Sequence, residues 1–401
     1  MYLTHLSLTN FRTFARLDIE IPRRVILLVG GNAQGKTSFL EAVYFLAALT
    51  SFQTHTDRHL VNFLAAREPL AVARLVGEYR RGESRHRIEV RLILEAVGTN
   101  GRRLRKEVLI DGVKRPLSEA IGHFNAVIFV PQMTQIIEGG PEERRRYLNL
   151  TLAQAIAGYA SLLGEYRKAL SQRNALLKQI AERGGDLAQL TFWDETLADL
   201  GAKIIHYRIH AVKELEKQAT RIHHRLTRAA EVLRLDYRPS YDPLPAPQRQ
   251  YALPMDTPAD RSGLSPEEIR RGFLERLERL RGEEITRGVT TIGPHRDEVR
   301  FLGNGVDLGF YGSRGQIRTA LLSLRLAEVS WLKEKTGQWP VILLDEVMAE
   351  LDTQRRADLL DYLGESEQAL LTTTDLSAFD ESFVRGATVW QVEGGTVRVG
   401  G

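Results

Sequence analysis

Gly30-Gly-Asn-Ala-Gln-Gly35-Lys36-Thr37 follows directly on the apolar run Val25-Ile-Leu-Leu-Val29 and precedes a segment in which Phe39, Leu40, Val43 and Leu46 recur at helical spacing. The order is a buried strand, a glycine turn and a helix, and the turn satisfies the G-x-x-x-x-G-K-[ST] pattern of a phosphate-binding loop. Glycines let the backbone wrap phosphate groups, so that amide hydrogens and the positive end of the helix point at negative charge. Lys36 is then placed to meet the β and γ phosphates of ATP, and Thr37 to hold Mg²⁺. With glycine at ~7% of residues, the pattern arises by chance in such a chain on the order of one time in a hundred, before its context is counted. A plain glycine turn is therefore the weaker reading.

A second apolar run, Val341-Ile-Leu-Leu344, ends in Asp345-Glu346. That suits a buried parallel strand delivering two carboxylates at its C-terminal end. Such a run is common in isolation. Paired with a phosphate loop, it assigns Asp345 to Mg²⁺ and Glu346 to polarising an attacking water. Upstream of it, Ser313-Arg-Gly-Gln316 opens an amphipathic helix with Ile317, Ala320, Leu321, Leu324 and Trp331 on one face, and Ser313 can cap that helix.

Near the start, Leu6, Leu8, Leu17, Ile19 and Ile21 alternate with polar residues, as in half-buried strands. Strand-like runs at Ala71 to Val76, Arg87 to Leu94 and Val108 to Ile110, separated by turns such as Thr99-Asn-Gly101 and Asp111-Gly112, predict an antiparallel sheet. The middle of the chain changes period: Leu152, Ile156, Tyr159, Leu163, Tyr166, Leu170, Leu177 and Ile180 predict one long heptad helix interrupted only by Arg173. After Gly184-Gly185-Asp186 a second stripe runs through Trp193, Leu197, Leu200, Ile204 and Tyr207, continued in a shifted frame by Val212, Leu215, Ala219, Ile222 and Leu226. These two helices should fold back as a short antiparallel pair. A proline-rich connection from Pro239 to Pro258 follows, and then a capping box at Ser265-Pro-Glu-Glu268. The expected division is 1–130 and 291–401 as the two parts of one α/β lobe, with 131–290 inserted between them as a helical lobe.

Composition sets outer bounds. The chain is 43% hydrophobic and 26% charged, ordinary for a globular protein. No apolar stretch approaches the ~20 residues that span a bilayer, and no signal-peptide pattern opens the chain, so a cytoplasmic protein without a membrane partner is expected. The absence of cysteine excludes disulfides, thiolate ligands and a cysteine nucleophile. A formal net charge of +4 permits a nucleic-acid partner without demanding one. Basic clusters at Arg80, Arg81, Arg85 and Arg87, at Arg102, Arg103, Arg105 and Lys106, and at Lys114 and Arg115 are candidate DNA contacts. Taken singly, each reads better as a solvated turn.

The order of phosphate loop, Ser313-Arg-Gly-Gln316, Asp-Glu strand and Glu350-Leu-Asp352 resembles the ABC ATPases, whose signature is Ser-x-Gly-Gln and whose D-loop follows the acidic strand. The resemblance narrows to the RecF family over essentially the whole chain. It is carried by Leu8-Thr-Asn-Phe-Arg12, Gly30 to Thr37, Phe129-Val-Pro-Gln132, Gly139-Gly-Pro-Glu-Glu-Arg-Arg-Arg146, Gly293-Pro-His-Arg-Asp297, Ser313 to Arg318 and Leu344 to Asp352. It implies an ABC-type head with a mixed-sheet core, an antiparallel β subdomain and an inserted helical lobe with a short coiled coil. By resemblance, the nucleotide set is Arg12, Gly30, Gly31, Asn32, Ala33, Gln34, Gly35, Lys36, Thr37 and Ser38, with Ser313, Gly315, Gln316 and Asp352. Catalysis falls to Lys36, Asp345, Glu346, Gln132 and Thr374, with Thr37, Gln132 and Asp345 around Mg²⁺. The resemblance further implies an ATP-dependent homodimer on double-stranded DNA at single-strand gaps or junctions. It would assist recombinase loading with RecO and RecR partners in repair, replication restart and the SOS response. Two positions depart from the family pattern: Gln132 stands where many members carry glutamate, and Thr374 where ABC ATPases often carry a switch histidine, which predicts slow hydrolysis. A transporter ATPase and a small-molecule kinase also use a phosphate loop. The helical insertion disfavours the first, and Ser313 to Gln316 the second.

Overall fold

The alternation at the N-terminus becomes a hairpin in which Tyr2–Phe11 pairs antiparallel with Phe14–Glu20. A computed structural model describes residues 1–97, 101–244 and 258–399. They form two compact units, one of Met1–Met133 with Glu328–Gly401 and the other of Thr134–Ala327.

The first unit holds two six-stranded sheets. In one, the N-terminal hairpin continues through Leu70–Arg81, Ser84–Val97, Gly101–Ile110 and Val113–Arg115, antiparallel throughout. In the other, strands Thr388–Glu393, Val25–Val29, Ala369–Thr373, Val341–Asp345 and Ala126–Phe129 are neighbours in that order and parallel, with Thr396–Val399 antiparallel at the edge. Val25–Val29, Val341–Leu344 and Ala126–Phe129 are apolar runs because both of their faces are covered. Val341–Asp345 and Ala369–Thr373 are buried at every position. Helix Lys36–Ala48 touches strands of both sheets and is buried along nearly its whole length, which is why its sequence lacks a polar stripe.

The second unit is built on helices Pro141–Ala155, Tyr159–Arg183, Ala188–Leu226 and Pro266–Arg287, with a small sheet of Leu233–Arg238, Glu298–Gly303 and Val306–Asp307. The single heptad helix expected from Leu152 to Ile180 is two helices. Ile156 is extended and Gly158 takes φ 81°, a left-handed turn that glycine adopts without strain. The expected helical pair gains a third member, since Pro266–Arg287 packs on both Tyr159–Arg183 and Ala188–Leu226. Its capping box forms as read: Ser265 Oγ accepts from Glu268 N, and Glu268 Oε2 from Ser265 N.

Two features that looked like defects in the stripe are buried ion clusters. Arg173 is fully buried; its Nε donates to Asp194 at 2.7 Å, its Nη1 to Thr290 Oγ1 at 2.8 Å, and it pairs with Glu284 at 2.6 Å. Removing one partner of such a buried pair costs about 3–5 kcal/mol, because a charge is left uncompensated. The frame shift after Tyr207 occurs where Arg208 turns inward. Its Nη1 donates to Asp297 Oδ2 at 2.7 Å and to the Pro294 carbonyl at 2.6 Å, while its Nη2 donates to Asn149 Oδ1 at 2.9 Å. Asp297 also accepts from Tyr237 OH and Ser240 N. Arg145 reaches the Asp297 carbonyl, and Arg144 forks onto Glu298 at 2.6 and 3.0 Å. Gly293-Pro-His-Arg-Asp297 and Arg144-Arg145 therefore meet in the interior of this unit, where they hold helices to the small sheet.

These bonds move a domain boundary. The expected break at 290 lies instead between Ala327 and Glu328, because residues 291–303 are tied to the helices by Asp297, Glu298 and pairing with Leu233–Arg238. The break expected at 130 falls at Met133. Pro245, Pro247 and Pro254 of the proline-rich connection, and Thr99 and Asn100 of one predicted turn, lie outside the described residues. Among the described residues, no helix is long and apolar enough to cross a membrane.

Candidate nucleotide site

The phosphate-loop stretch leaves the sheet at Val29, opposite Thr373 of the next strand, and Gly30 N donates to the Thr373 carbonyl at 3.3 Å. A Cβ at Gly30 would lie 2.2 Å from the Val392 carbonyl oxygen, so no other residue fits there without moving a strand. Gly35 takes φ 112° and Ala33 φ 60°, both left-handed. The turn of the C-terminal hairpin clips the loop from outside: Gly394 N donates to Gln34 Oε1 at 2.7 Å and Gly395 N to the Gln34 carbonyl at 3.0 Å. Gln34 Nε2 donates to the Asn32 carbonyl; Gly31, Asn32 and Ala33 are exposed, and Ser38 is half-buried in the first helical turn. Helix Lys36–Ala48 begins with no side-chain cap and no acid in its first turn. Its leading amides and its dipole are thus available to an anion.

Lys36 is 4% exposed, an ammonium group buried at the mouth of the loop. It donates to the Gly30 and Gly31 carbonyls at 2.8 and 2.9 Å and stands 3.3 Å from Glu346 Oε1. On the next residue, Thr37 Oγ1 donates to Asp345 Oδ1 at 3.0 Å, and Thr372 Oγ1 donates to the same oxygen at 2.8 Å. Burial raises the Asp345 pKa, with the hydrogen bonds from Thr372 and Thr37 working against that rise. Glu346 has φ 54°, a conformation that costs an L-residue roughly 1–2 kcal/mol, and its N–H donates to Thr372 Oγ1 at 2.9 Å. Thr372 thus positions both acids. No motif spacing marks this residue, although Thr372-Thr-Thr374 at the end of an apolar strand is an unusual place for hydroxyls.

Thr374 is an exposed bend after the strand that lies between the loop strand and the Asp345 strand. Gln132 is exposed in a short 3-10 turn after Ala126–Phe129, whose Phe129 pairs with Leu344. Both leave the parallel sheet at the same end as Gly30 and Asp345, the end where α/β sheets bind ligands. Neither is hydrogen-bonded to Thr37 or Asp345 among the described residues. Arg12, at φ 52°, is turned elsewhere: its Nε and Nη2 fork onto the buried Glu41 at 2.7 and 2.8 Å, and its Nη1 donates to the His59 carbonyl. Asp352 caps helix Thr353–Gly364 by accepting from Arg355 N, and it pairs with the Arg355 guanidinium.

Ser313, Gly315 and Gln316 belong to the second unit. There Gln316 N donates to Ser313 Oγ at 3.2 Å and Ser313 N to Gln316 Oε1 at 3.0 Å, a capping box on helix Arg314–Thr336. Gln316 Nε2 reaches Glu231 Oε1 at 2.9 Å. Gly315 is exposed, and a Cβ there would meet nothing nearer than Ser313 Oγ at 4.0 Å. Its own chain does not explain the glycine, which disfavours a helix relative to alanine by up to about 1 kcal/mol.

Residues 2–396 match the family model for the RecF/RecN/SMC N terminal domain. The chain is 39% identical to the DNA replication and repair protein RecF of Roseiflexus castenholzii, over 98% of this chain and 99% of that protein. It is 38% identical to that of Chloroflexus aggregans over the whole of both. It also resembles a solved structure of the recombination mediator protein RecF-ATPrS in the RecFOR pathway, with a TM-score of 0.83, 31% identity and coverage of 99% of this chain and 98% of that one. A structure of RecF-ATP in the same pathway matches at a TM-score of 0.82 and 30% identity. With a full-length family match, this level of identity and a shared fold, the chain belongs to the RecF family of DNA replication and repair proteins, ABC-type ATPases within the RecF/RecN/SMC group.

Proposed function

We propose that two copies of this chain close on ATP, bind double-stranded DNA at gaps or junctions while closed, and release it after slow hydrolysis, assisting recombinase loading together with RecO and RecR. The observation that carries the reading is the cluster at the C-terminal ends of the parallel strands, with Lys36 held by the Gly30 and Gly31 carbonyls and Asp345 held by Thr37 and Thr372. A buried ammonium whose counter-ion, Glu346, is 44% exposed is ready to exchange that partner for phosphate. The Thr37 hydroxyl and the Asp345 carboxylate form an oxygen-only donor pair suited to a hard cation, with Gln132 leaving the sheet at the same end. Magnesium held there would neutralise charge on the nucleotide's phosphates. Glu346, anchored through its amide by Thr372, orients and polarises the attacking water. Thr374 offers no imidazole to the transition state, which favours slow turnover. Arg12, Ser38 and Asp352 complete the nucleotide set by resemblance, although Arg12 must leave Glu41 to take part.

Support for the dimer comes from Ser313 and Gly315. An exposed hydroxyl and an exposed glycine at a helix start suit the close approach of a phosphate brought by a second copy. Loss of the γ phosphate then removes the differential binding energy that keeps the copies together.

Two measurements test the reading. Glu346→Gln should bind ATP and sediment as a dimer, while ADP leaves it monomeric. A gel shift on gapped, duplex and single-stranded DNA should show tighter duplex binding with ATP than with ADP. A Glu346→Gln protein that stays monomeric at saturating ATP refutes the switch.

A further inference from the structure

Resting on the reading above, in which duplex DNA is the partner, we infer that the solvent face of the antiparallel sheet is the platform on which the DNA phosphate backbone lies, held chiefly by Arg74, Arg87, Arg91, Arg103 and Arg105. Strand register gathers part of two basic clusters, Arg87 with Arg103 and Arg105, onto the same face as Arg74 and Arg91, whereas Arg102 and Lys106 alternate onto the other face and donate to the Ala66 and Leu49 carbonyls. Residues directly opposite across an antiparallel pair share a face, and that face recurs every second residue. Arg74 is opposite Arg91, which is opposite Glu107; Ile93 is opposite Arg105; Glu95 is opposite Arg103; and Arg87 lies two steps from Glu89 and four from Arg91 on the same strand.

At the centre of this face is Glu89, 5% exposed beneath three guanidinium groups. Arg74 Nε and Nη2 each donate to it at 2.8 Å, Arg91 Nε at 2.7 Å and Arg87 Nη2 at 3.3 Å. Burial opposes ionisation of Glu89, yet the hydrogen bonds from Arg74 and Arg91 prevail and hold its pKa down at about 2. One carboxylate thus neutralises one of three gathered cations. Alongside, Arg105 and Lys114 both donate to Glu107 Oε1, at 2.8 and 2.7 Å, and Arg105 also lies 3.9 Å from Glu95. Arg103 is exposed and has no acidic partner among the described residues.

Like charges directly opposite across strands destabilise a sheet, and Arg74 faces Arg91. Such an arrangement calls for additional anions from outside. The arginines are about two-fifths to one-half exposed, at 38% for Arg74, 39% for Arg91, 46% for Arg87 and 53% for Arg105, so guanidinium donors not used on glutamate face solvent. The surface is an open sheet rather than a pocket, which suits a polyanion and not a single phosphate. Strands Ser84–Val97 and Gly101–Ile110 have 14 and 10 residues. At about 3.4 Å per residue they run roughly 34–48 Å, on the order of one turn of duplex. Stems lying flat on a sheet do not enter a groove, so the contacts carry no sequence preference.

The test is a full-length Arg87→Gln, Arg103→Gln, Arg105→Gln protein, which leaves Arg74 and Arg91 to hold Glu89. Duplex affinity should fall roughly a hundredfold or more near 0.1 M salt, and the plot of log affinity against log salt should become shallower by about 2–3. Nucleotide affinity and the thermal midpoint should match the unchanged protein. A control carrying Arg271→Gln, Arg279→Gln and Arg287→Gln on the helical unit removes the same net charge and should keep the original slope. An unaltered slope in the sheet variant, or an equal loss in the control, overturns the inference while leaving DNA binding itself standing. Failure of the unchanged protein to bind duplex at all overturns the inference together with the function on which it rests.

Discussion

The phosphate-loop stretch and the Ser313 segment are both glycine-containing starts of helices, yet the rest of the chain treats them in opposite ways. Gly30 is fixed by the Val392 carbonyl, Gly35 by a left-handed turn, Gln34 by the C-terminal hairpin and Lys36 by two loop carbonyls. Each has an intramolecular reason for its identity. Ser313 has one in its capping box, but the missing side chain of Gly315 has none: the residue is exposed and helical, and a Cβ there would meet nothing nearer than 4.0 Å. A segment whose sequence is not explained by its own fold is explained by something that approaches it from outside. That asymmetry is what the proposed sharing of a nucleotide between two copies would require.

The largest effect is expected from Lys36→Met. It removes the buried ammonium that the proposed function assigns to phosphate, and nucleotide affinity should fall by at least about a hundredfold, or ~3 kcal/mol, in a titration with a fluorescent ATP analogue. Retained affinity would mean that the loop is a structural turn. Ser313→Arg should behave differently, binding the analogue within a few-fold of the unchanged protein and failing to dimerise with ATP in sedimentation. Were Ser313→Arg to lose nucleotide in the monomer, the tip would belong to its own chain's pocket and the asymmetry would disappear.

What could be read from sequence was what local spacing determines. The strands around Val25–Val29 and Val341–Asp345 are continuous apolar runs, and the antiparallel sheet alternates with period two, so both were legible. The helix break at Gly158 was not, because Leu152, Ile156 and Tyr159 keep helical spacing across it. Nor does glycine itself decide the matter: Gly164 lies inside helix Tyr159–Arg183, whereas Gly158 starts it with a left-handed φ. Arg173 read as a flaw because its partners, Asp194 and Glu284, are distant in sequence and come together only in the bundle. The boundary at Ala327 was hidden for the same reason, since pairing of Glu298–Gly303 with Leu233–Arg238 is non-local. In the site, motif spacing pointed to Lys36, Thr37, Asp345 and Glu346. Thr372, which bonds the Asp345 side chain and the Glu346 amide, has no spacing rule to announce it.

The smallest effects separate the two glycines. Gly30→Ala places a methyl group 2.2 Å from a backbone oxygen, so strand Thr388–Glu393 or the loop must shift. Overpacking of this kind costs about 1–3 kcal/mol, which urea denaturation would register as a lower midpoint at unchanged slope. Gly315→Ala meets open space in a helical position, so its stability should change by less than ~1 kcal/mol, and in the stabilising direction. ATP-driven dimerisation should nonetheless weaken in Gly315→Ala, because the added methyl group would stand where, in the proposed dimer, a neighbour's phosphate approaches. A variant that is at least as stable as the unchanged chain and yet pairs less well cannot owe its defect to folding. If instead Gly315→Ala unfolds as readily as Gly30→Ala, the glycine has an intramolecular role and the argument from its freedom fails.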